Sequence, residues 1–506
     1  MTHIYSRSYT TAQIRSAERY WLSSTAGATA TLAGADAKAV VAQPSAPGTL
    51  MRRAAWALAE TVIARMPSPV PGRLAVLLVG AGNNGGDALF AGAILRRRGM
   101  AVTAILADPH RAHLAGLAAL RRAGGRIVSG DSVSSDPIAA LLGRADVILD
   151  GLVGLGAVPP LRRSAEALVV AANAAAGWRI AIDLPSGIEP DTGREIGAVF
   201  HADITVTFGG MKTGLLFAQS AGDVHVADIG MAPEQCQPSI PYDTSVMTDA
   251  DVGWLLPQPG PTDNKFSLGV TGIVAGSARY PGAALLAVGG AVSARPGLVR
   301  YVGTHAAEVV QRWPEVVAAQ DVPAAGRVQA WVVGPGIGID GAAAALMRDV
   351  LAADVPVLVD ADGLTVLAQI PSLLADRVRR GMTTVLTPHD GEFARLFPDI
   401  DPAGPAGRLG VVRAAANRSG AVVLLKGHRT VIADPGGRAF VNTAGSPYLA
   451  TAGSGDVLSG LTGALLSAGM GGLEAAALAA HMHGQAGQRA AAAKRAGASA
   501  LLDFLI

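Results

Sequence analysis

Short apolar runs alternate with helix-like segments along most of this chain. In the first half the runs are LAVLLV (74–79), AVTAIL (101–106), DVILDG (146–151), WRIAIDL (178–184) and DITVTF (203–208). Continuous Val, Ile and Leu runs are typical of parallel strands, because helices cover both faces of a parallel sheet. The pattern predicts an α/β domain with a Rossmann-like, doubly wound parallel sheet.

A second alternation follows an interruption. Residues 231–246, MAPEQCQPSIPYDTSV, contain three prolines and show neither a helical nor a strand period. Beyond them VTGIVAG, LVRYVG, VQAWVVGP, VPVLVDAD, TVLTP and AVVLLKG alternate with helix-like segments such as GAAAALMRDVLAA. A chain of 506 residues is long enough for several domains. We predict two tandem α/β domains, at 1–235 and 247–506, joined by a linker at 236–246.

The N-terminus and the composition argue against several classes of protein. TTAQIRSAERYWL begins with Thr10 as a candidate N-cap and has helical spacing, so it predicts a helix that packs on the first sheet and not a signal peptide. The net charge is only +2, and no uncharged apolar run approaches the roughly 20 residues of a membrane span. We expect a cytoplasmic protein with no nucleic-acid or membrane partner.

Cys236 is the only cysteine in the sequence. A single cysteine excludes an intramolecular disulfide and a Cys-rich zinc site, and we expect its thiol to be inert.

The stretch GAGNNGGD (80–87) lies between the first apolar run and the helix-like segment ALFAGAILRRRG. Gly80, Gly82 and Gly85 fit the dinucleotide pattern G-x-G-x-x-G, and Asp108 after the next run suits a ribose-binding role in a nicotinamide dehydrogenase. A tight glycine turn with capping Asn and Asp is the structural alternative. Neither interpretation explains the paired asparagines together with the loops described next.

Two later strands also end in polar loops. Asp150 is followed by GLVGLG, and Asp183 begins the sequence Asp-Leu-Pro-Ser-Gly. In open α/β sheets ligands bind beyond the carboxyl ends of the strands, where helix N-termini present free N–H groups. We therefore expect these loops and residues 80–87 to converge on one crevice.

These segments resemble a known family. GAGNNGGDALFAGAILRRRG, DGLVGLG, AIDLPSGIEPDTG and TFGGMKTGLL are similar to the epimerase domain of the bifunctional NAD(P)H-hydrate repair enzymes, over roughly residues 10–235. The resemblance implies that the domain binds hydrated NADH or NADPH through Asn83, Asn84, Gly85, Gly86, Asp87, Gly154, Leu155, Gly156, Ala157, Val158, Pro159, Pro160 and Asp183. It also implies a potassium site formed by Asn84, Asp150 and Ser186. Ala88 replaces the usual final glycine of NNGGDG, and we expect it to crowd the ligand slightly.

The implied chemistry suits the residue types. Hydration places a hydroxyl on C6 next to the ring nitrogen, whose lone pair helps to expel it and permits re-addition on the other face. Proton transfer by a carboxylate such as Asp183 is typically worth about 10²–10⁴-fold in rate.

A second set of motifs lies in the other half: TPHDGEFARL (387–396), LLKGHRT (424–430) and TAGSGDVLSGLTGALLSAG (451–469). The glycines before a helical run favour binding of phosphate by backbone N–H groups and the helix dipole, with Asp456 as a base beside this anion site. We find no P-loop, G-x-S-x-G or H-E-x-x-H motif. His481 and His483 have the spacing of structural or solvent-facing residues rather than metal ligands.

The second set resembles the ribokinase-like ADP- or ATP-dependent NAD(P)H-hydrate dehydratases, over roughly residues 247–504, including NKFSLGVTGIVAGSARYPGAALLA, VVGPGIG and VDADGL. The resemblance implies substrate contacts by Ala283, Gly336, His389 and Asp456. It implies adenine-nucleotide contacts by Lys426, Gly427, His428, Arg429, Thr430 and Gly455. Glu392 stands where related kinases carry a glutamate that organises Mg²⁺ or water. The family also suggests a preference for ADP and a homo-oligomer.

The chain departs from that family's common motifs at Asp390, Ala452, Ser454, Gly363 and Thr365. We expect Asp390 to have the largest effect on affinity, because it adds a negative charge beside an anion site.

In the implied reaction ADP or ATP phosphorylates the C6 hydroxyl, Asp456 accepts the hydroxyl proton, Mg²⁺ spreads the phosphate charge, and phosphate then departs. Alternatives are a ribokinase-like small-molecule kinase with an N-terminal binding module, and a non-catalytic nucleotide-sensing or protein-binding module.

Overall fold

The computed structural model describes residues 6–31, 49–130 and 136–505. The chain divides into two compact units, Arg7–Asp243 and the residues from Thr244 onward. The division falls inside the segment predicted as a linker.

The N-terminal unit is built on a parallel sheet. Its strands are β1 (Ser6–Tyr9), β2 (Leu74–Val79), β3 (Ala101–Leu106), β4 (Arg126–Ser129), β5 (Val147–Gly151), β6 (Trp178–Ile182), β7 (Ile204–Phe208), β8 (Met211–Lys212) and β9 (Asp223–Ala227). The main sheet has the order β4-β3-β2-β5-β6-β7-β9 with parallel neighbours, and β1 pairs with β8. Its helices are α1 (Thr11–Thr31), α2 (Thr49–Arg65), α3 (Asn83–Arg97), α4 (Leu114–Arg122), α5 (Asp136–Gly143) and α6 (Arg163–Asn173).

The apolar runs of the first half all form strands, which confirms the predicted α/β class. The missed strands β4 and β9 lie at the two edges of the sheet. Edge strands are partly exposed, so RIVS and DVHVA lack the continuous apolar run that marks a central strand. The N-terminal helix is also confirmed: the Thr10 hydroxyl accepts a hydrogen bond from the Gln13 N–H (3.3 Å), and Ala17 is buried in the core formed with β2 and β3.

The C-terminal unit has a mixed sheet. Its strands are β10 (Thr244–Val246), β11 (Val270–Val274), β12 (Leu298–Val302), β13 (Val317–Ala319), β14 (Ala330–Val333), β15 (Val357–Val359), β16 (Thr384–Leu386), β17 (Val422–Leu425), β18 (Thr430–Ala433) and β19 (Ala439–Asn442). From β13 to β17, in the order β13-β12-β11-β14-β15-β16-β17, all neighbours are parallel. β18 is antiparallel to β17 and β19, and β10 pairs parallel with β19.

Helices flank this second sheet: α7 (Asp249–Leu255), α8 (Pro281–Ser293), α9 (Ala306–Arg312), α10 (Gly341–Ala352), α11 (Asp362–Gln369), α12 (Ser372–Arg379), α13 (Asp390–Leu396), α14 (Gly407–Ser419), α15 (Ser454–Ser467), α16 (Gly472–Ala492) and α17 (Ala498–Leu501). Every predicted apolar run again contains a strand. Within the described segments, none of the helices has the length and apolarity needed to cross a membrane.

Helices α8 and α15 approach so closely that their contact requires glycine. A Cβ built on Gly460 would lie 1.8 Å from the Ala287 carbonyl oxygen, and one on Gly290 would lie 2.1 Å from the Val457 carbonyl oxygen. The backbones therefore touch where a side chain would separate them. This contact fixes the position of α15, whose first turn carries Asp456.

We expect Gly460→Ala to lower the free energy of unfolding by about 2–3 kcal/mol, because the added methyl group must push two helix backbones apart. Gly253→Ala is the matched control, since a Cβ there meets no atom within 4 Å. That change should be neutral or stabilise α7 by about 0.5–1 kcal/mol. Urea unfolding of the full chain measures both, and equal stability of Gly460→Ala and the unchanged chain would contradict the close contact.

Candidate active sites

A large cavity lies at the carboxyl ends of the strands in the N-terminal unit. Strand order reverses between β2 and β5, and ligands of open α/β sheets bind at such a point. The cavity has a volume of about 1440 Å³. Among the predicted substrate contacts, those that line it are Asn83, Asn84, Asp87, Gly154, Leu155, Gly156, Ala157, Val158, Pro159, Pro160 and Asp183. The three loops therefore converge as expected.

The glycines of GAGNNGGD have a structural cause. A Cβ on Gly80 would lie 1.8 Å from the Leu152 carbonyl oxygen, and one on Gly85 would lie 2.3 Å from the Gly80 carbonyl oxygen. Gly85 and Gly86 are buried in α3 and do not line the cavity. The match to G-x-G-x-x-G is thus explained by backbone packing between the β2–α3 turn and the loop after β5.

Asp183 is held by a buried lysine. The Lys212 ammonium donates to the Asp183 carboxylate (2.5 Å), to the Thr207 hydroxyl (2.9 Å) and to the Phe208 carbonyl oxygen (2.6 Å). Thr207 also donates to the same Asp183 oxygen (3.1 Å). Lys212 is only 1% exposed, and Asp183 has φ 68°, a left-handed conformation uncommon outside glycine. Sequence reasoning missed Lys212, although a single lysine inside the apolar motif TFGGMKTGLL was an available signal.

Asp87 and Glu18 add negative charge to the same cavity. Burial raises the pKa of Asp87 well above its usual range, and the charges of Asp183 and Glu18 raise it further. Burial and Asp183 also raise the pKa of Glu18, which α1 contributes to the wall. Sequence reasoning did not identify Glu18, because nothing in the spacing links α1 to the loop after β6.

Of the three predicted potassium ligands, Asn84 lines the cavity, whereas Asp150 and Ser186 are fully buried. Asp150 is fully buried and accepts hydrogen bonds from the Ser186 hydroxyl (2.7 Å), the Ser186 N–H (2.7 Å) and the Leu152 N–H (3.2 Å). Asn84 donates to the Val153 carbonyl oxygen (2.5 Å), in the loop that follows Asp150. Burial raises the pKa of Asp150 to about 6, and within the described residues no cationic side chain pairs with it.

The second candidate site lies at the carboxyl ends of five neighbouring strands of the C-terminal unit. Ala283 and Gly336 follow β11 and β14, and a Cβ on Gly336 would lie 2.8 Å from the Ala283 Cβ. His389 follows β16, and Lys426 follows β17. Asp456 belongs to the first turn of α15, which packs on β11, β14 and β15. The predicted residues of the three motifs therefore share one edge of the sheet.

A carboxylate cluster surrounds the Lys426 ammonium at this edge. The ammonium donates to Asp360 (2.8 Å) and lies 3.8 Å from Glu392. A Cβ on Gly455 would lie 3.3 Å from it, which places the ammonium at the start of α15 beside Asp456. Burial, and then the charge of Asp360, raise the pKa of Asp456 to about 7. Sequence reasoning missed Asp360, which is 1% exposed and also accepts from the Ser459 hydroxyl (2.7 Å).

His389 caps the helix that carries Glu392. Its Nδ1 accepts from the N–H groups of Gly391 (3.0 Å) and Glu392 (3.3 Å), and the Glu392 carboxylate accepts from the His389 N–H (2.9 Å). This reciprocal cap fixes Glu392 beside Lys426. Of the remaining predicted nucleotide contacts, Gly427, His428 and Arg429 lie in the turn between β17 and β18, and Thr430 is the first residue of β18.

Asp390 is paired with a cation. Arg408 donates to the Asp390 carboxylate (2.9 Å) and to the carbonyl oxygens of Lys426 (2.6 Å) and Arg429 (3.1 Å). The negative charge that Asp390 adds is thus offset by a guanidinium that also supports the β17–β18 turn.

Ala88, His481, His483 and Cys236 are all buried. Ala88 is fully buried in the hydrophobic core and does not line the cavity, so the expected crowding of the ligand was wrong. His481 and His483 are both buried in α16, so the solvent-facing alternative was wrong and the structural one holds. Burial lowers the pKa of His483 to about 4. Cys236 is a buried free cysteine, and burial raises its pKa, which fits an unreactive thiol.

Two family models match the chain. The model described as NAD(P)H-hydrate dehydratase matches residues 271–504, and the model described as YjeF-related protein N-terminus matches residues 47–214. The bifunctional NAD(P)H-hydrate repair enzyme Nnr of Mycobacterium leprae is 47% identical over 461 residues, 90% of this chain and 92% of the relative. The enzyme of the same name from Mycobacterium tuberculosis H37Rv is 47% identical over 427 residues, 83% of this chain and 84% of the relative.

Among solved structures, the ADP/ATP-dependent NAD(P)H-hydrate dehydratase of Bacillus subtilis, co-crystallised with ATP and Mg²⁺, is 28% identical with a TM-score of 0.45. The match covers 51% of this chain and 95% of that one.

The buried ion pair Lys212–Asp183 should contribute to the free energy of unfolding. Lys212→Met should lower the free energy of unfolding by about 3–5 kcal/mol, because it leaves a carboxylate without its counter-charge in a buried position. Lys212→Met combined with Asp183→Asn should be less destabilised than the sum of the two single changes, with a coupling of about 2–3 kcal/mol in a double-mutant cycle. Additive effects in urea unfolding would contradict the ion pair.

Proposed function

The chain belongs to the family of bifunctional NAD(P)H-hydrate repair enzymes, and we propose that its two α/β units divide the reactions of repair between them. The N-terminal unit, predicted as residues 1–235, interconverts the C6 epimers of hydrated NADH or NADPH. The C-terminal unit, predicted as 247–506, dehydrates the S epimer. The observation that carries this assignment is that each unit holds a lysine–aspartate ion pair and a further carboxyl group of raised pKa at the carboxyl ends of its strands.

In the first crevice Asp183 is the proposed acid/base group. Its carboxylate faces the cavity and has the Lys212 ammonium as counter-charge. A proton taken from or returned to the C6 oxygen stays within the cavity, while the ring nitrogen supplies the electron pair that releases the hydroxyl. Asn83, Asn84 and the loop 154–160 would bind the rest of the dinucleotide.

The residues present fit a potassium ion. Asp150 is a buried carboxyl whose pKa of about 6 leaves it ionised at neutral pH without a cationic partner among the described side chains. Asn84 and Ser186 place neutral oxygen atoms on adjacent segments. A bound K⁺ would neutralise Asp150 and join the turn after β2 to the loops after β5 and β6. The proposed ligands are therefore Asn84, Asp150 and Ser186.

At the second site Asp456 is the proposed base that accepts the proton of the C6 hydroxyl as the terminal phosphoryl group of ADP or ATP is transferred. The oxygen–phosphorus bond to the substrate forms, and the bond to the nucleotide breaks. Lys426 and the N–H groups at the start of α15 stabilise the charge on the phosphoryl group. Phosphate then leaves C6 with its bonding electrons, and loss of a ring proton completes the dehydration.

The second site would also bind adenine nucleotide and Mg²⁺. The adenine nucleotide would be held by Lys426, Gly427, His428, Arg429, Thr430 and Gly455. The hydrated ring would contact Ala283, Gly336 and His389. No three His, Cys, Asp or Glu side chains in the described segments are grouped so as to hold a metal alone. Mg²⁺ commonly uses one or two carboxylates together with phosphate oxygens and water, and Glu392 fits that role. Homo-oligomerisation stays a prediction.

The decisive experiment is incubation of mixed hydrate epimers with ADP or ATP and Mg²⁺, followed by the absorbance of reduced nicotinamide. The unchanged chain should convert both epimers. Asp456→Asn should lower the dehydration rate by about 10²–10⁴-fold and spare epimerisation. Asp183→Asn should convert only the S epimer to NAD(P)H and leave the R epimer unchanged. Because a base must be ionised, dehydration should also slow as the pH falls below about 7, the pKa of Asp456.

Unchanged dehydration by Asp456→Asn would remove its role. A phosphorylated product that accumulates in place of NAD(P)H and free phosphate would instead identify a small-molecule kinase.

Binding of K⁺ at the proposed site should raise the free energy of unfolding. At pH 8 Asp150 is ionised, so K⁺ at about 100 times its Kd should raise the free energy of unfolding by about 2–3 kcal/mol. The effect should decline as the pH falls below about 6, where Asp150 becomes protonated. Thermal unfolding with K⁺ exchanged for tetramethylammonium measures it. Ser186→Ala should weaken the response and Ser16→Ala, on an exposed part of α1, should not; equal responses would reject the site.

A further inference from the structure

Two carboxyl groups of the N-terminal cavity have opposite surroundings. Asp183 has the Lys212 ammonium at 2.5 Å and the Thr207 hydroxyl at 3.1 Å. Asp87 lines the same cavity, yet its Oδ1 is buried and has no hydrogen-bond partner among the described residues. Within the described residues Asp87 also forms no ion pair. One carboxyl group is thus supplied with a counter-charge and the other is not.

The charges around Asp87 favour its neutral form. Burial has the largest effect and raises the pKa of Asp87, the negative charges of Asp183 and Glu18 raise it further, and only Lys212 lowers it. These groups come from the loop after β6, from α1 and from β8. Other titratable groups of the wall include Arg52 on α2 and His113 before α4. A neutral carboxyl group is a proton donor.

We propose that Asp87 is the general acid of the epimerase site and acts together with Asp183 as the general base. The proposal rests on the epimerase function assigned above to this unit, and it gives Asp87 a catalytic role instead of the binding contact that the family resemblance implies. Paired carboxyl groups whose environments separate their charge states are a recurrent arrangement in acid–base catalysis.

The proposed step balances within the cavity. Asp87 gives its proton to the C6 oxygen, the carbon–oxygen bond breaks with its electron pair going to oxygen, and water departs. The lone pair of the ring nitrogen forms a double bond to C6 as this happens. A water molecule then attacks C6 from the opposite face and gives a proton to Asp183. Proton return from Asp183 to Asp87 through water restores the site, so no oxidant, reductant or nucleotide is consumed.

A purely binding role for Asp87 gives a different result. A hydrogen bond that is equally strong in the ground state and the transition state changes KM and leaves kcat unchanged. A general acid changes kcat and gives the rate an alkaline limb, because activity is lost as Asp87 ionises. Its pKa lies above the usual carboxyl range, so that limb lies at higher pH than a normal carboxyl group would give.

The test is epimerisation by the full chain without adenine nucleotide, with the two hydrate epimers separated by chromatography. Asp87→Asn should lower kcat by about 10²–10⁴-fold with little change in KM, and its residual rate should lack the alkaline limb. Asp87→Glu retains an acid and should recover part of kcat together with that limb. Asp223→Asn removes a carboxylate from the exposed side of β9 and should behave as the unchanged chain.

The possible results distinguish the epimerase function of the unit from the acid role of Asp87. If the unchanged chain does not epimerise the hydrates, the proposed function of the unit fails. If it does, and Asp87→Asn retains kcat or raises only KM, the acid role of Asp87 is wrong while the function stands. Circular dichroism and urea unfolding show whether Asp87→Asn is folded. If it is not, the pH profiles of the unchanged chain and of Asp87→Glu decide, since absence of an alkaline limb in both would overturn the role.

Discussion

The free-energy cost of burying a carboxylate governs the arrangement of both sites. Each sheet ends in loops that bring aspartates out of water, and each aspartate is compensated differently. Among the described residues Asp150 receives only neutral N–H and hydroxyl donors, Asp183 has the ammonium of Lys212, and Asp360 shares the ammonium of Lys426 with Glu392. The type of compensation determines which group stays ionised and which becomes a proton donor or a ligand for a cation.

The two units thus use the same electrostatic arrangement on different sheets. In each, a lysine pairs with one buried aspartate, and a second carboxyl group nearby has a raised pKa: Asp87 in the first site and Asp456 in the second. The chemistry differs because the surroundings differ. Asp456 lies at the start of a helix whose free N–H groups attract phosphate, whereas Asp87 lies one turn inside α3 and faces other carboxylates.

Sequence reasoning predicted the centre of each sheet and the loops at its carboxyl ends, because central parallel strands must be apolar throughout and the polar residues after them stand out. It missed the edge strands β4 and β9, whose partial exposure removes that signal. It also missed β10, β13, β18 and β19 of the second unit, which are only three or four residues long. It also missed Glu18, Lys212 and Asp360. Glu18 comes near Asp183 only through tertiary folding, so no local spacing indicates it. Lys212 stands out as a lone lysine in TFGGMKTGLL and Asp360 lies in VDADGL, but neither motif shows which partner its residue pairs with.

The backbone of Asp183 has a consequence for how such a protein evolves. A non-glycine residue with φ 68° costs roughly 1 kcal/mol, a penalty that glycine would not incur. Replacing Asp183 by glycine and Lys212 by methionine together would relieve both this strain and the desolvation of two charges. Such a variant would gain stability while it loses the proposed acid/base group, so a high melting temperature does not show that a relative retains the epimerase reaction.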